Sequence, residues 1–422
     1  IYLFQSGAPS HLDLYDPKPK LVEMTGKDLP DSVRQGQRIT TMTSGQSRFP
    51  VAPSMFKFAQ HGKSGAWVSE LMPHTTRHVD DICFIKSLHC DSSNHAPATY
   101  QMNTGVILGD RPSVGSWLTY GLGSENQNLP AYVVLRDPEG YSTHGALLWQ
   151  NAWLPAVHRG TEFSTRGAPV LNLQPARPVP EESRRDQLDL LAKLNRAHQA
   201  AFPGEADLEA RIQNYELAAR MQLAATDAFN HGAESEATQR LYGLHDPVTR
   251  GYGLRCLTAR RLVEAGVRFV QVFTPIKPFI QPWDTHRNVD TEIADIAAMT
   301  DLPSAALIQD LKARGLLDDT LVIWGGEFGR TNYCQGRIQA NFGRDHHPRC
   351  FSVWLAGGGV KAGTVYGETC EFGYNVVSDG VHIHDLQATM LHLLGIDHER
   401  LTWKFQGRRY RLTDVHGRLV NG

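Results

Sequence analysis

The sequence predicts an α/β fold in which a mostly parallel β-sheet is sandwiched by helices. Short apolar runs rich in Val, Ile and Phe alternate along the chain with amphipathic stretches of helical period. These runs are apolar at nearly every position instead of every second one, which is typical of strands buried on both faces of a parallel sheet. Such an alternation of strands and helices places helices on both sides of the sheet.

Six runs are predicted to be the strands of this sheet. Each is continuous, only a few residues long, and dominated by residues that favour strands. In chain order they are residues 1–5, 82–86, 131–135, 267–273, 320–325 and 351–355.

Helices are predicted from apolar periodicity and from a glycine just past the last turn. Residues 254–266, 303–315 and 385–395 meet both criteria. Residues 181–231 contain two more amphipathic helices, which are highly charged, and we interpret them as a helical hairpin inserted into a single domain spanning 1–422. A charged helical face is usually just solvated, so no chemistry is assigned to the hairpin.

Composition excludes several classes of function. The chain has 422 residues with 42 basic and 44 acidic side chains, so it offers no strongly charged surface for nucleic acid, and an anionic ligand must be recognised locally. No run reaches the roughly 18–20 apolar residues of a transmembrane segment. The six cysteines form no C-x-x-C pair, which argues against a zinc ribbon.

Polar side chains follow the ends of the predicted strands. The carboxyl ends of parallel strands meet at one edge of a sheet, where ligands bind, so we expect these side chains to converge. In chain order they are Ser6, Ser10, His11, Asp13, Asp16, His89, Asp91, Ser92, Ser93, Asn94, His95, Asp284, His286, Glu327 and Arg330.

The stretch GRDHHP, residues 343–348, is predicted to be a loop before the last strand. It carries Arg344, Asp345, His346 and His347. Two adjacent imidazoles are costly to charge together, so a neutral pair facing a metal ion, or an anion held with help from Arg344, explains this loop better than chance.

Taken singly, most of these residues have a structural explanation. A loop aspartate is more often a turn or helix cap, and an Asp and a His two positions apart recur by chance in a chain with 19 histidines. Taken together, several carboxylates and imidazoles at strand ends indicate a divalent metal site with one or two ions. The ion stays open among Zn, Mn, Fe and Ca, although these ligands suit Zn, Mn or Fe better than Mg.

Six separated motifs resemble one bacterial family, the domain of unknown function 1501, in that family's order across nearly the whole chain. They are SGAPSHLDLYDPKP, SSNHAPATYQMNTG, WDTHRN, GGEFGRT, GRDHHP and DLQATMLHLLGID. The resemblance implies the alkaline phosphatase-like fold that sulfatases and phosphatases share, and a periplasmic or exported location. The chain also begins in a predicted strand without an initiator Met, which fits removal of an upstream segment such as an export signal.

The resemblance also shows where this sequence departs from sulfatases. In the matching frame of His95, Pro97, Thr104 and Gly105, the nucleophile position holds His95 instead of the Cys or Ser that becomes formylglycine. Glu327 likewise stands where relatives have an aspartate ligand. A sulfatase mechanism is therefore not expected.

Two functions are left open. The first is a metal-dependent hydrolase of small phosphate or sulfate esters with a rebuilt, non-formylglycine active site. The second is a catalytically inactive binding or assembly protein that retains a structural metal site. Whether the chain forms a homo-oligomer is also left open.

For the hydrolase, each candidate residue has an expected role. His95 would be a nucleophile or a ligand, Asn94 would donate a hydrogen bond to the transferring group, and Arg330 or Arg344 would hold the anion. The expected metal ligands or their immediate supports are Asp284, His286, Glu327, Asp345, His346, His347, His11 and Asp13.

Overall fold

The structure, a computed structural model, describes residues 1–170, 179–203, 206–276, 281–338 and 341–421. Its centre is a nine-stranded sheet in the order β12-β4-β11-β8-β1-β7-β5-β6, with β15 also paired to β4. The described strands are β1 (Tyr2–Phe4), β2 (Phe58–His61), β3 (Ala66–Ser69), β4 (Ile82–His89), β5 (Tyr132–Leu135), β6 (Thr161–Glu162), β7 (Phe269–Phe273), β8 (Val322–Gly325), β9 (Gly329–Gln335), β10 (Gly343–His347), β11 (Phe351–Ala356), β12 (Thr364–Tyr366), β13 (Glu368–Thr369), β14 (Val376–Ser378), β15 (Val381–His382), β16 (Trp403–Phe405) and β17 (Arg408–Tyr410).

The described helices flank this sheet or extend from it. They are α1 (His11–Leu14), α2 (Pro19–Glu23), α3 (Asp31–Arg34), α4 (His95–Thr104), α5 (Val114–Leu122), α6 (Glu181–Ala201), α7 (Ala206–Ala228), α8 (Glu236–Leu241), α9 (Arg250–Glu264), α10 (Val289–Ala313) and α11 (Ile383–Leu393). Short 3₁₀-helices span Thr75–Asp81, Gly145–Trp149, Ala156–His158 and His231–Ala233. None of the described helices is long and apolar enough to cross a membrane.

The predicted α/β class is confirmed. The six predicted strands form the unbroken centre of the sheet, β4-β11-β8-β1-β7-β5. Side chains of β1 alternate between two apolar cores, because Leu3 packs with residues of α9 and α10 whereas Tyr2 and Phe4 pack with residues of α4, α5 and α11. The sheet therefore has helices on both sides, as its uniformly apolar strands indicated.

One strand runs against the others, and this positions the site. Strand β1 pairs in parallel with β7 and β8, and β5 pairs in parallel with β7. Strand β11 is antiparallel to both of its neighbours, β4 and β8. The amino end of β11 consequently lies at the edge where the other strands have their carboxyl ends, which brings residues 343–348 to that edge.

The prediction of a loop at residues 343–348 was wrong, because most of this segment is strand β10. It pairs antiparallel with β9, with His346 opposite Arg330 and His347 opposite Gly329. The register shifts between Arg344 and His346. Successive side chains of a strand point to opposite faces, so the two adjacent histidines cannot share one site.

The three predicted core helices are present as α9, α10 and α11, and the glycines that follow them have left-handed backbones: φ is +86° at Gly266, +69° at Gly315 and +77° at Gly395. Helix α10 begins 14 residues before the predicted start, and Pro303 lies inside it instead of at its first turn.

The predicted hairpin corresponds to α6 and α7. Residues 204–205, between the helices, and 171–178, before them, lie outside the described residues. That the pair is an insertion into a single domain stays a prediction.

Candidate metal centre

Four side chains converge at the carboxyl edge of the sheet. One ligand atom from each of His95, Asp284, His286 and His346 lies within 4.8 Å of the others. His95 opens α4 just after β4, Asp284 and His286 lie between β7 and α10, and His346 lies in β10. Segments far apart in sequence therefore meet at one point, as the sequence predicted for strand ends.

In each of the three imidazoles, Nδ1 lies within hydrogen-bond distance of an oxygen acceptor. His95 Nδ1 lies 2.6 Å from Glu327 Oε1, and His346 Nδ1 lies 2.7 Å from the carbonyl oxygen of Ser93. His286 Nδ1 lies 2.6 Å from Gln335 Oε1. Because these oxygens can only accept, each Nδ1 carries a proton and donates it, so in the neutral ring each Nε2 presents a lone pair.

The three Nε2 atoms face one another. His286 Nε2 lies 2.9 Å from His346 Nε2, and the buried Nε2 of His95 is directed at the same carboxylate, that of Asp284. Two lone pairs at such a distance repel unless a proton or a cation lies between them. Three imidazoles with fixed tautomers and one carboxylate are a donor set that fits a divalent ion.

Asp284 is the anionic member of the cluster. Its Oδ1 lies 3.1 Å from His95 Nε2, 2.9 Å from His286 Nε2 and 2.6 Å from Arg330 Nη2. Burial alone would raise the pKa of Asp284, but Arg330 and the histidine contacts outweigh it and hold that pKa well below its usual range. Asp284 is therefore ionised and able to bind a cation at any physiological pH.

Two glycines allow the backbones to approach closely enough to build this cluster. Gly7 has φ +104°, and a Cβ there would lie 2.7 Å from the amide nitrogen of Asp284. Its own N–H donates to Glu327 Oε1 at 3.0 Å. A Cβ at Gly343 would lie 1.8 Å from the carbonyl oxygen of His286. Any larger residue would push apart the segments that carry the cluster.

His347 lies away from the cluster, which corrects its expected role as a ligand. Its Nε2 is 2.7 Å from the carbonyl oxygen of Tyr374, and its ring stacks on Tyr374 with centroids 4.1 Å apart. Burial lowers the pKa of His347 to about 3, so it is a neutral core histidine. The strand alternation of β10 explains why only His346 reaches the cluster.

The structure also places His11, Asp13 and Asp345 elsewhere. His11 Nε2 lies 3.0 Å from the carbonyl oxygen of Gly373. Asp13 forms a fully buried ion pair with Arg344, and Asp345 accepts a hydrogen bond from Thr43 Oγ1 at 2.5 Å. None of the three contributes a ligand atom to the group of four, although Asp345 also accepts from the backbone N–H of His346 at 2.7 Å.

Neither arginine is placed to hold an anion. Arg344 donates to both carboxylate oxygens of Asp13 and to three backbone carbonyls, which occupies its donors. Arg330 is fully buried and donates to Asp284 and to the carbonyls of Gly7 and Ala8. Arg330 therefore orients Asp284 and the turn after β1.

Glu327 supports the His95 ring, and Asn94 caps the helix that begins at His95. The side chain of Asn94 caps α4 by accepting from the N–H of Ala96 at 3.1 Å. Glu327 is fully buried behind the His95 ring and anchored by Gly7. Glu327 thus orients a potential ligand instead of reaching the convergence point itself.

Sequence reasoning missed two of the supporting groups. Gln335 orients His286, and the backbone of Ser93 orients His346. A backbone carbonyl has no sequence signature. Gln335 could have been found only by pairing β9 with β10, and that required recognising β10 as a strand.

Substituting Glu327 with Gln should weaken metal binding about 10- to 100-fold, the cost typical of losing a partner behind a histidine ligand. The amide can still accept from His95 Nδ1, but it removes the negative charge that makes the imidazole a stronger donor. Competition with a chromogenic chelator measures the change. Equal affinity in the variant and the wild type would show that Glu327 does not tune His95.

Comparison with known proteins places the chain in a family. The family described as "Protein of unknown function (DUF1501)" matches residues 1–422. The chain belongs to this family. A search of curated proteins gave no match.

Solved structures similar to this DUF1501 chain share little sequence with it. Ps i-CgsB in complex with k-i-k-neocarrahexaose is 13% identical with a TM-score of 0.36, covering 77% of this chain and 66% of its own length, just under two thirds. The lipoteichoic acid synthase LtaP from Listeria monocytogenes is 12% identical with a TM-score of 0.37, covering 87% and 78%. A protein in the alkaline phosphatase superfamily from Vibrio parahaemolyticus is 12% identical with a TM-score of 0.36, covering 78% and 61%. None of these similarities transfers an activity to this chain.

Proposed function

We propose that this chain is a metal-dependent hydrolase of phosphate or sulfate esters, in which His95, Asp284, His286 and His346 hold the ion. The observation that carries the proposal is the convergence of three imidazole Nε2 atoms on one ionised carboxylate: Asp284 Oδ1 lies 3.1 Å from His95 Nε2, 2.9 Å from His286 Nε2 and 3.2 Å from His346 Nε2. Three nitrogens and one oxygen suit zinc best and Mn or Fe next. Calcium, which takes oxygen ligands, fits poorly.

The residues around the ion would have different roles. A divalent ion in such a site acidifies water and polarises a phosphoryl or sulfuryl oxygen. His95 and His346 form the buried floor, whereas the side chains of Asp284 and His286 are 23% and 18% exposed, so an ester would approach from their side. Since His95 points its free nitrogen at the cluster, we assign it the role of a ligand instead of a nucleophile.

The test is hydrolysis by protein loaded in parallel with Zn, Mn or Fe. The substrates are 4-nitrophenyl phosphate and 4-nitrophenyl sulfate, and His286→Ala is compared with His245→Ala, an exposed histidine that pairs with Glu236. We expect turnover of at least one ester that is lost with His286→Ala and kept with His245→Ala. Turnover that survives His286→Ala would contradict the proposal.

A second candidate function is a binding or assembly protein with a structural ion. Four protein ligands are typical of structural zinc sites, and neither buried arginine near the cluster is free to hold an anion. Exchange with isotopically labelled zinc discriminates the two. A stoichiometric ion that does not exchange, combined with no turnover of either ester, supports the structural role.

Metal affinity should fall as the pH is lowered. Burial alone would lower the pKa of His95, but the carboxylates of Asp284 and Glu327 outweigh it and raise that pKa above 6.5. Burial lowers the pKa of His346 to about 4. A ligand nitrogen must be deprotonated, so proton competition at His95 should cost about tenfold in affinity per pH unit below its raised pKa.

Zinc titrations between pH 5 and pH 8 measure this dependence. Protonation of His346 should steepen the fall of zinc affinity with pH only near pH 4. An affinity independent of pH across that range would contradict the assignment of His95 as a ligand.

A periplasmic or exported location is proposed only from the family resemblance, and homo-oligomer formation stays open. Cell fractionation of the full-length protein and its elution volume in gel filtration test the two.

A further inference from the structure

Helix α6 exposes apolar side chains that no described part of the chain covers. It has 21 residues, and none of its described side chains is buried. Leu190 and Leu194 are 59% and 60% exposed. In proteins most of the stability of a helix comes from packing its apolar face against other elements. The exposed leucines of α6 therefore call for a partner.

Two faces of α6 carry apolar residues, and only one of them meets α7. Leu188, Leu191 and Ala192 line a groove of about 240 Å³ together with Tyr215 and Ala219 of α7. A second set of residues recurs at intervals of four and three, so its members share another face of the helix. We call this set the outer stripe, and its exposed members are Ser183, Gln187, Leu190, Leu194, Ala197 and Ala201. Its seven-residue repeat is the pattern with which helices pack side by side.

The charges of α6 differ in sign between its two halves. Residues 181–190 carry four acidic and two basic side chains, a net charge of −2. Residues 191–201 carry two basic side chains and no acidic one, a net charge of +2 with histidine neutral. This order suits the helix dipole. It also makes α6 complementary to an antiparallel copy of itself, because each acidic half then lies beside a basic half.

Four of these charges are available to a second copy. Among the residues that the structure describes, they form no ion pair, and all four are exposed: Asp186, Asp189, Lys193 and Arg196. A membrane surface fits this helix less well. Helices that lie on membranes are rich in Lys and Arg on their polar face, whereas the charges of α6 sum to zero.

We propose that the outer stripe of α6 packs antiparallel against the outer stripe of a second copy of this chain. The interface is isologous, with the same surface on both copies and a two-fold axis between them. When this axis passes near residue 192, Leu190 of each copy lies beside Leu194 of the other. No residue of the metal centre takes part, so the inference does not depend on the proposed hydrolysis.

The test is the mass of the chain in solution, measured by sedimentation velocity over a dilution series. One copy has a mass of 46.9 kDa, and we expect the wild type to form a dimer that dissociates on dilution. The double variant Leu190→Glu with Leu194→Glu places like charges in the interface and should weaken the dimer at least about 100-fold. Leu108→Glu is the matched control, because Leu108 is 74% exposed and lies outside the hairpin. It should dimerise like the wild type.

Charge reversal tests the antiparallel arrangement and the identity of the partner. Lys193→Glu with Arg196→Glu makes both halves of α6 negative, and Asp186→Lys with Asp189→Lys makes both halves positive. Each of these variants should be monomeric alone, and their equimolar mixture should form a dimer. Circular dichroism and metal content should match the wild type in both, because the substituted side chains are exposed and lie outside the metal centre.

The opposite results would overturn the proposal. These are a wild type that stays monomeric at every concentration, a dimer that persists in Leu190→Glu with Leu194→Glu, and charge variants that dimerise alone as strongly as in their mixture. Binding of a monomeric wild type to phosphatidylglycerol vesicles, lost in the leucine variant, would assign the outer stripe to a membrane and also overturn the proposal.

Discussion

Replacing His346 with alanine should leave the purified protein without a stoichiometric metal ion. The side chain supplies one of three converging nitrogens, and its loss removes a ligand that lies 2.9 Å from His286 Nε2. Because losing only a supporting group behind a ligand costs about 10- to 100-fold in affinity, we expect a loss of more than about 100-fold here. Elemental analysis after gel filtration and a chelator competition assay measure it.

The neighbouring residue provides the control. His347 contacts Tyr374 on the opposite face of β10, so His347→Ala should keep the full metal content. It should nevertheless lower the melting temperature, because it removes a buried, stacked ring and leaves a cavity. Loss of metal in His347→Ala with retention in His346→Ala would reverse the assignment of the two histidines.

Replacing Arg344 with methionine should destabilise the protein by about 3–5 kcal/mol, the cost typical of breaking a buried ion pair. Arg344 and Asp13 are both 0% exposed, and removal of the guanidinium leaves the Asp13 carboxylate buried without its partner. Carbonyl oxygens of Ala52 and Thr331 would lose their donor as well. Urea unfolding monitored by fluorescence measures the loss.

The double variant Asp13→Leu with Arg344→Met is the companion measurement. Removing both charges should recover part of the lost stability, since the uncompensated carboxylate is gone. Metal content should be that of the wild type in every folded variant. A stable Arg344→Met protein that no longer binds phosphate or sulfate would instead assign Arg344 to an anion site.

Much of the fold could be predicted because its central strands are short runs of almost entirely apolar residues. The six central strands are apolar on both faces, and that pattern is local to each run. Edge elements such as β12 and β15 are only partly buried and carry no comparable signal. Pro303 misled the prediction for α10, because a proline more often begins a helix than lies inside one.

The sequence predicted that a metal site lies at the strand ends, but it did not predict which of the adjacent histidines reaches it. Strand ends brought Asp284, His286, His95 and His346 together as expected from the topology of a parallel sheet. The adjacent His346 and His347 could not be told apart while residues 343–348 were interpreted as a loop, because only strand geometry alternates their directions.

Charged side chains gave the least reliable predictions. Arg344 and Asp13 are 331 residues apart and pair in the core, a contact that no local pattern reports. Glu327 was expected either to bind an ion or to orient an imidazole, and the structure has it orienting His95, a placement that depends on the close backbone approach of Gly7. Tertiary contacts decide such roles.

The most direct test of the account is a crystal structure of the purified protein with anomalous scattering measured at the absorption edge of its metal. The account predicts one ion about 2.0–2.2 Å from His95 Nε2, His286 Nε2, His346 Nε2 and an oxygen of Asp284. An ion bound by His347, His11 or Asp13, or a fully metal-saturated protein with no anomalous peak among these four side chains, would contradict it.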